Sequence, residues 1–234
     1  MRGSGSFPRI GGSGPELGRW LEWVSWEAMR IVCLSDTHGR HGRLRVPEGD
    51  LLLHAGDFSM AGRPDEIELF DRWLGTLPHT HKVVVAGNHD FLFERDPARA
   101  RALLGNAIYL QDGLLELDGL RIWGSPWQPW FFDWAFNLAR GPELAAKWAL
   151  IPDVHDVLVT HGPPAEILDR TASSEEVGCR DLSLALERVR PRLHVFGHIH
   201  EGYGRVERDG TTYVNASNCD LRYRPVQAPI VVEL

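Results

Sequence analysis

Five short aliphatic runs, each cut off by a polar cluster of one recurring kind, constrain this chain more than any other feature. The runs cover 31–34, 51–54, 82–86, 156–160 and 193–196. They are rich in Val, Ile and Leu, and most end in Gly, Asp or His. Runs of that length and composition read as buried β-strands. The clusters that follow are Ser35-Asp36-Thr37-His38, Gly56-Asp57, Gly87-Asn88-His89-Asp90, Thr160-His161-Gly162-Pro163-Pro164 and Gly197-His198-Ile199-His200. In open α/β sheets the carboxyl ends of the strands converge on one crevice where ligands bind. Side chains far apart in sequence are therefore expected to meet there.

Between the runs, 64–77, 97–104, 142–150 and 180–189 read as helices, the first three with proline at the first turn. Later segments at 114–117, 120–123, 213–215 and 230–233 read as strands. Asp118-Gly119 and Asp209-Gly210 are strong hairpin turns. This predicts one α/β domain over 29–234. Residues 1–28 differ. Their first part, MRGSGSFPRIGGSG, has little to bury and is expected to be disordered. Trp20, Trp23 and Trp26 follow at three-residue steps. Two readings stand: one helical face packed on the domain, or a non-native extension before a true start at Met29.

Composition bounds the partners. The net charge is −7, which argues against an extended basic groove for nucleic acid but not against small anions beside bound metal ions. No apolar stretch reaches the ~18–20 residues of a membrane span, and no signal-peptide pattern opens the chain. Cys33, Cys179 and Cys219 show no C-x-x-C spacing and read as free thiols in a reducing, cytoplasmic compartment.

The clusters carry the donors that a pair of divalent ions needs. Carboxylates suit Mn, Mg and Fe, and imidazoles suit Zn and Fe. Asp36 and His38, like His198 and His200, are two residues apart, which aims them to one side if the segment is extended. A carboxylate such as Asp57 can bridge ions ~3.5–4 Å apart. A lone Asp-x-His is ordinarily surface decoration; four companion motifs in order reverse that reading.

From about Ile31 onward the motifs Asp36-x-His38, Gly56-Asp57, Gly87-Asn88-His89-Asp90, His161 and Gly197-His198-x-His200 resemble, in order, those of the calcineurin-like metallophosphoesterases. The resemblance implies two mixed β-sheets packed as a sandwich and flanked by helices in four layers. It implies two divalent metal ions (Mn, Fe, Zn or Mg): one held by Asp36, His38, Asp57 and His200, the other by Asp57, Asn88, His161 and His198. A hydroxide between them would attack phosphorus, and His89 would contact the phosphate and protonate the leaving oxygen. A narrower resemblance, in the 124–130 and 134–137 segments and 197–204, is to the metallophosphoesterase-domain-containing branch of small phosphodiesterases. Phosphoprotein phosphatases fit poorly, because Asp57-Phe58-Ser59 lacks their arginine and Asp90 stands where they carry Glu.

The implied activity is hydrolysis of a small phosphodiester, cyclic nucleotides among the candidates. A phosphomonoesterase, a nuclease and a non-catalytic scaffold are the alternatives. His41, Trp127, Trp130 and Tyr203 are candidate substrate-binding residues, with Glu201 another shaper of the pocket. The aromatic run 123–137 reads as part core and part loop, and aromatic side chains there could stack on a base. His54 reads as a core histidine, His194 as a strand position, and His79, His81 and His155 as surface residues. Thr160 reads as structural, and Asp90 as a candidate orienter of His89.

Overall fold

The computed structural model describes residues 28–153 and 155–234; the expectations for the N-terminal segment fall almost wholly outside them. The strands run, in chain order, β1 (Arg30–Leu34), β2 (Leu51–Ala55), β3 (His81–Val85), β4 (Ile108–Tyr109), β5 (Gly113–Leu117), β6 (Leu120–Ser125), β7 (Gln128–Pro129) and β8 (Asn137–Leu138). They continue with β9 (Val157–Thr160), β10 (Leu193–Phe196), β11 (Gly204–Arg208), β12 (Thr211–Asn215) and β13 (Ile230–Glu233). The helices are α1 (Pro64–Gly75), α2 (Phe91–Arg95), α3 (Pro97–Ala102), α4 (Pro142–Trp148) and α5 (Arg180–Val189).

Two sheets form the centre, in the orders β13-β1-β2-β3-β4 and β11-β12-β10-β9-β6-β5. Both are mixed: β1, β2, β3 and β4 pair in parallel while β13 runs antiparallel, and β6, β9, β10 and β12 pair in parallel between antiparallel edges. Strand periodicity divides each run between two layers. Ile31, Cys33, Leu51, Leu53, Val83 and Val85 face Ile122, Val157, Val159, Val195 and Val214 across the sandwich. The alternate residues Val32, Leu34, Leu52 and Val84 meet Ile67, Phe70 and Leu74 of α1. On the far side Trp123, Leu158 and Phe196 meet Leu144 and Trp148 of α4 and Leu182 and Leu186 of α5. The order helix–sheet–sheet–helix is the expected four-layer α/β sandwich. Strands buried on both faces read as unbroken apolar runs, which is why the sequence shows them so clearly.

Local chemistry sets the boundaries. Proline opens α1, α3 and α4 as expected, and Glu66 bonds back to the Arg63 and Ala61 N–H groups to close the first turn of α1. Asp118 and Gly119 adopt φ of 46° and 84°, and Asp209 and Gly210 φ of 52° and 82°, the paired left-handed geometry of tight hairpins. The three cysteines are free and buried. Among the described residues no helix is long and apolar enough to cross a membrane.

Two histidines expected at the surface are not there. His79 and His155 are buried, the latter bonded through Nδ1 to the Pro152 carbonyl at 2.9 Å. Loop histidines read as polar; here burial desolvates both rings and lowers their pKa values. His81 is half-buried and pairs with Asp118 at 2.8 Å. His54 and His194 are buried in their strands against Thr37 and Thr160.

Candidate metal centre

The C-terminal ends of β1, β2, β3, β9 and β10 lie on one rim, and main-chain bonds lace their loops together. Asp36 N donates to Gly56 O, His38 N to Asp57 O, and Gly197 N to His161 O, each at 2.9 Å. These loops are not extended. Asp36, His38, Asp57 and His198 adopt φ of 51°, 43°, 54° and 68°, a region that costs a side-chain-bearing residue ~1–2 kcal/mol. The two-residue spacing therefore works by a different route from the one expected: left-handed turns, not strand alternation, aim the side chains. The same turn places His198 and His200 in different donor groups. Backbone strain of this kind persists where surrounding bonds over-determine it, as at functional sites.

Those bonds are specific. Asp36 Oδ2 accepts from His198 N and Ser217 Oγ, both at 2.9 Å. Asp57 Oδ1 accepts from His89 N at 2.8 Å. Asp90 accepts from the N–H groups of Asp57, Gly87 and Ser59 at 2.8–3.0 Å and from Ser59 Oγ at 2.6 Å. It thus ties the second loop to the third and does not touch the His89 ring, whose Nδ1 donates to Met60 O at 2.7 Å. Burial and the Asp57 charge push the Asp90 carboxyl up to about 7 against those donors. Close approach explains two glycines: a β-carbon on Gly87 would strike the Asp57 carboxylate, and one on Gly197 the Asp36 carboxylate.

Three donor groups result, each with ligand atoms within 4.8 Å of one another: Asp36, His38 and His200; Asp57, His161 and His198; and His38, Asp57 and His89. Asp57 Oδ2 lies 3.8 Å from His38 Nε2 and 3.6 Å from His161 Nε2, so one carboxylate oxygen stands between the first two groups. Asn88 Oδ1 is 2.9 Å from His161 Nε2. All seven expected ligands are thus gathered, and His89 stands among them with Nε2 at 3.9 Å from Asp57 Oδ2.

The donor chemistry fits a divalent cation. His161 Nδ1 and His200 Nδ1 donate to the Ala55 and Asp220 carbonyls at 2.9 and 3.1 Å. A carbonyl can only accept, so in the neutral rings Nε2 is the unprotonated nitrogen, and it points into the centre. His200 Nε2 then faces Asp36 Oδ1 at 3.2 Å and His38 Nε2 at 3.3 Å. Against the Asp36 carboxylate that nitrogen sets lone pair to lone pair, a contact that a cation between them relieves. Without a metal a proton fills that place: burial would depress His200, but the Asp36 hydrogen bond and charge raise it to about 9. Burial likewise opposes ionisation of Asp36, yet His200 holds its carboxyl well below the usual carboxylate range. Burial pushes His38 and His198 down to about 4 and about 3, leaving the neutral imidazoles a metal needs. Neither buried carboxylate has a Lys or Arg partner among the described residues.

A cleft of about 460 Å³ opens over this floor. Trp130 lines it, 63% exposed, as does Glu201, which accepts from Ala172 N at 2.8 Å. Three other expected contacts lie elsewhere. Trp127 donates from Nε1 to Asp112 at 2.9 Å and packs on Phe136. His41 is buried against Phe70 and Trp73. Tyr203 donates its hydroxyl to Ala228 O at 2.9 Å. None of the three is among the residues that line the cleft, and each is engaged with the partner named. The cleft instead recruits Phe131, Trp134, Arg140 and Tyr223. The aromatic run signalled the first two; no local pattern marked Tyr223. Thr160 is structural, its hydroxyl spanning Gly162 O and His194 at 2.8 Å each.

The comparisons with known proteins agree with this geometry. The calcineurin-like phosphoesterase family model matches residues 29–202. The human metallophosphoesterase domain-containing protein 1 is 47% identical over 230 residues, covering 88% of this chain and 71% of its own. A probable cyclic nucleotide phosphodiesterase of Synechococcus is 28% identical over 197 residues, covering 80% of this chain and 72% of its own. Among solved structures, TT1561 of Thermus thermophilus superposes with a TM-score of 0.53 at 15% identity, over 88% of this chain and 99% of that one, a likeness of fold. A family match from Met29 through the last of the five motifs, over strands that gather the motif residues on one rim, shows that the chain belongs to the calcineurin-like phosphoesterase family.

Proposed function

We propose that the protein is a metal-dependent phosphodiesterase acting on small phosphodiesters, cyclic nucleotides among them. The observation that carries this reading is the position of Asp57, whose Oδ2 lies between His38 of one donor group and His161 of the other. Asp36, His38, Asp57 and His200 would hold one divalent cation, and Asp57, Asn88, His161 and His198 a second. Such a pair supplies charge neutralisation at phosphoryl oxygens and a water acidic enough to serve as nucleophile near neutral pH.

The protein's own groups do the rest. Ser217 Oγ and His198 N fix Asp36, and His89 N fixes Asp57, so the carboxylates need no reorganisation when substrate arrives. His89 keeps Nδ1 on Met60 O and leaves Nε2 facing the floor, where a proton can pass to a leaving oxygen. Trp134 lies 4.2 Å from the His89 ring and limits its motion.

Cleft charge favours a diester over a monoester. Glu175, Glu201 and Arg140 line the wall, and Arg140 is already engaged with the Val177 and Gly178 carbonyls at 2.7 and 2.8 Å. A monoanionic diester meets less repulsion there than a dianionic monoester. The Synechococcus relative and the exposed Trp130 support a cyclic nucleotide among the substrates.

The test is hydrolysis of bis-p-nitrophenyl phosphate against p-nitrophenyl phosphate with Mn²⁺, for wild type and Asp57→Asn. Faster diester turnover that disappears in the variant is expected. Monoester preference would overturn the substrate class, and turnover indifferent to Asp57 would overturn the site.

A further inference from the structure

Tyr223 reaches the cleft from a turn whose anchor is Asp220. The Asp220 carboxylate accepts from the Arg222 and Arg224 N–H groups at 2.9 and 3.0 Å and from Arg224 Nε at 2.7 Å. The Asp220 carbonyl accepts from Tyr223 N at 2.8 Å and from His200 Nδ1 at 3.1 Å. One residue therefore both orients a candidate metal ligand and aims an aromatic ring. That ring stands edge-on to His38 at 4.6 Å, and 5.9 and 6.2 Å from His89 and His200.

Holding it there costs backbone energy. Tyr223 adopts φ of 55°, where a bulky aromatic is an outlier. The residue is only partly buried, and the strained turn presents its ring to the cleft. The second ring on His89 is Trp134, tilted by 34° at 4.2 Å. Trp134 thus lies against the proposed proton donor and Tyr223 stands edge-on to it at 5.9 Å, from two separate loops, in a cleft that both rings line.

We propose that Tyr223 and Trp134 form an aromatic slot beside His89 that receives the planar substituent of one ester arm. The enzyme then prefers phosphodiesters bearing an aryl or nucleobase ring over dialkyl esters. The slot rests on the reading of the cleft as a phosphodiester site and gives that site a substrate class. Stacking of a base on an aromatic side chain is worth about 1–3 kcal/mol, roughly 5–150-fold in affinity.

Two hydrolysis-resistant monoanions separate the slot from the site, O-methyl phenylphosphonate and O-methyl methylphosphonate, titrated calorimetrically into the Mn²⁺-loaded protein. Wild type should bind the phenyl compound at least about fivefold more tightly. Tyr223→Phe should keep that preference, since the ring carries it. Tyr223→Gly should lose most of it with no fall in Tm, because glycine accepts φ of 55° without strain. An unchanged preference in the glycine variant, with both compounds binding, would overturn the slot alone. Failure of wild type to bind either compound would overturn the phosphodiester site and the slot with it.

Discussion

The floor and the wall of the cleft are built on opposite plans. Every floor residue follows a buried strand by one to four positions, and main-chain groups fix the side chains of Asp36, Asp57, His89, His161 and His200. The wall comes from loops with little sequence regularity: Trp130 and Phe131 are 63% and 48% exposed, and Tyr223 hangs on one aspartate turn. A reaction centre needs donors held to a fraction of an ångström. Recognition of a planar substituent tolerates more play. The floor should therefore respond to mutation in rate and metal affinity, and the wall in substrate preference, with little crossover.

The largest break in that contrast would come at His89. His89→Asn should lower kcat by about 10²–10⁴, more for alkyl leaving groups than for p-nitrophenolate, which departs without a proton. Equal losses across leaving groups in steady-state kinetics would assign His89 to metal binding, for which its place beside His38 and Asp57 also qualifies it.

Asp90 comes next. Asp90→Ala strands the buried N–H groups of Asp57, Gly87 and Ser59, at roughly 1–3 kcal/mol each. Urea unfolding should show a loss of at least about 3 kcal/mol. Mn²⁺ affinity should fall about 10–100-fold through the displaced Asp57 loop. A variant of native stability would mean that the loops hold themselves.

A smaller effect concerns pH. His200 has its folded value raised to about 9, so in the metal-free protein its contribution is complete below about pH 6.5 and is lost as pH rises through 9. His54 and His194 are pushed by burial down to about 3, so their contribution holds above about pH 6.5 and fades as pH falls. Metal-free stability should peak near neutrality, and Mn²⁺ should flatten the alkaline limb alone. An alkaline limb indifferent to Mn²⁺ would show that no cation replaces the proton on His200. The smallest change is on the wall. Trp130→Ala should leave stability within about 0.5 kcal/mol of wild type and raise KM for aryl diesters only.

The same contrast explains what the sequence could and could not reveal. Strands buried on both faces leave unbroken aliphatic runs, and residues such as Asp36, Asn88 and His161 announce themselves by type and place. Nothing local marks Tyr223, which enters the cleft through a left-handed turn, or excludes Tyr203, which follows a motif yet bonds to Ala228 O. Asp36 and His38 come together by a route other than the strand alternation their spacing suggests, because their loop is held by the Gly56 and Asp57 carbonyls that accept from Asp36 N and His38 N. Asp90 likewise serves main-chain donors from two loops, a role set by tertiary contacts.

The shared carboxylate is the central claim, and Mn²⁺ titration followed by electron paramagnetic resonance tests it most directly. Wild type should take up two Mn²⁺ per chain and show the multiline signature of an exchange-coupled pair, and Asp57→Asn should lose the coupling. A single uncoupled Mn²⁺ in wild type, or coupling that survives in Asp57→Asn, would contradict a centre bridged by Asp57.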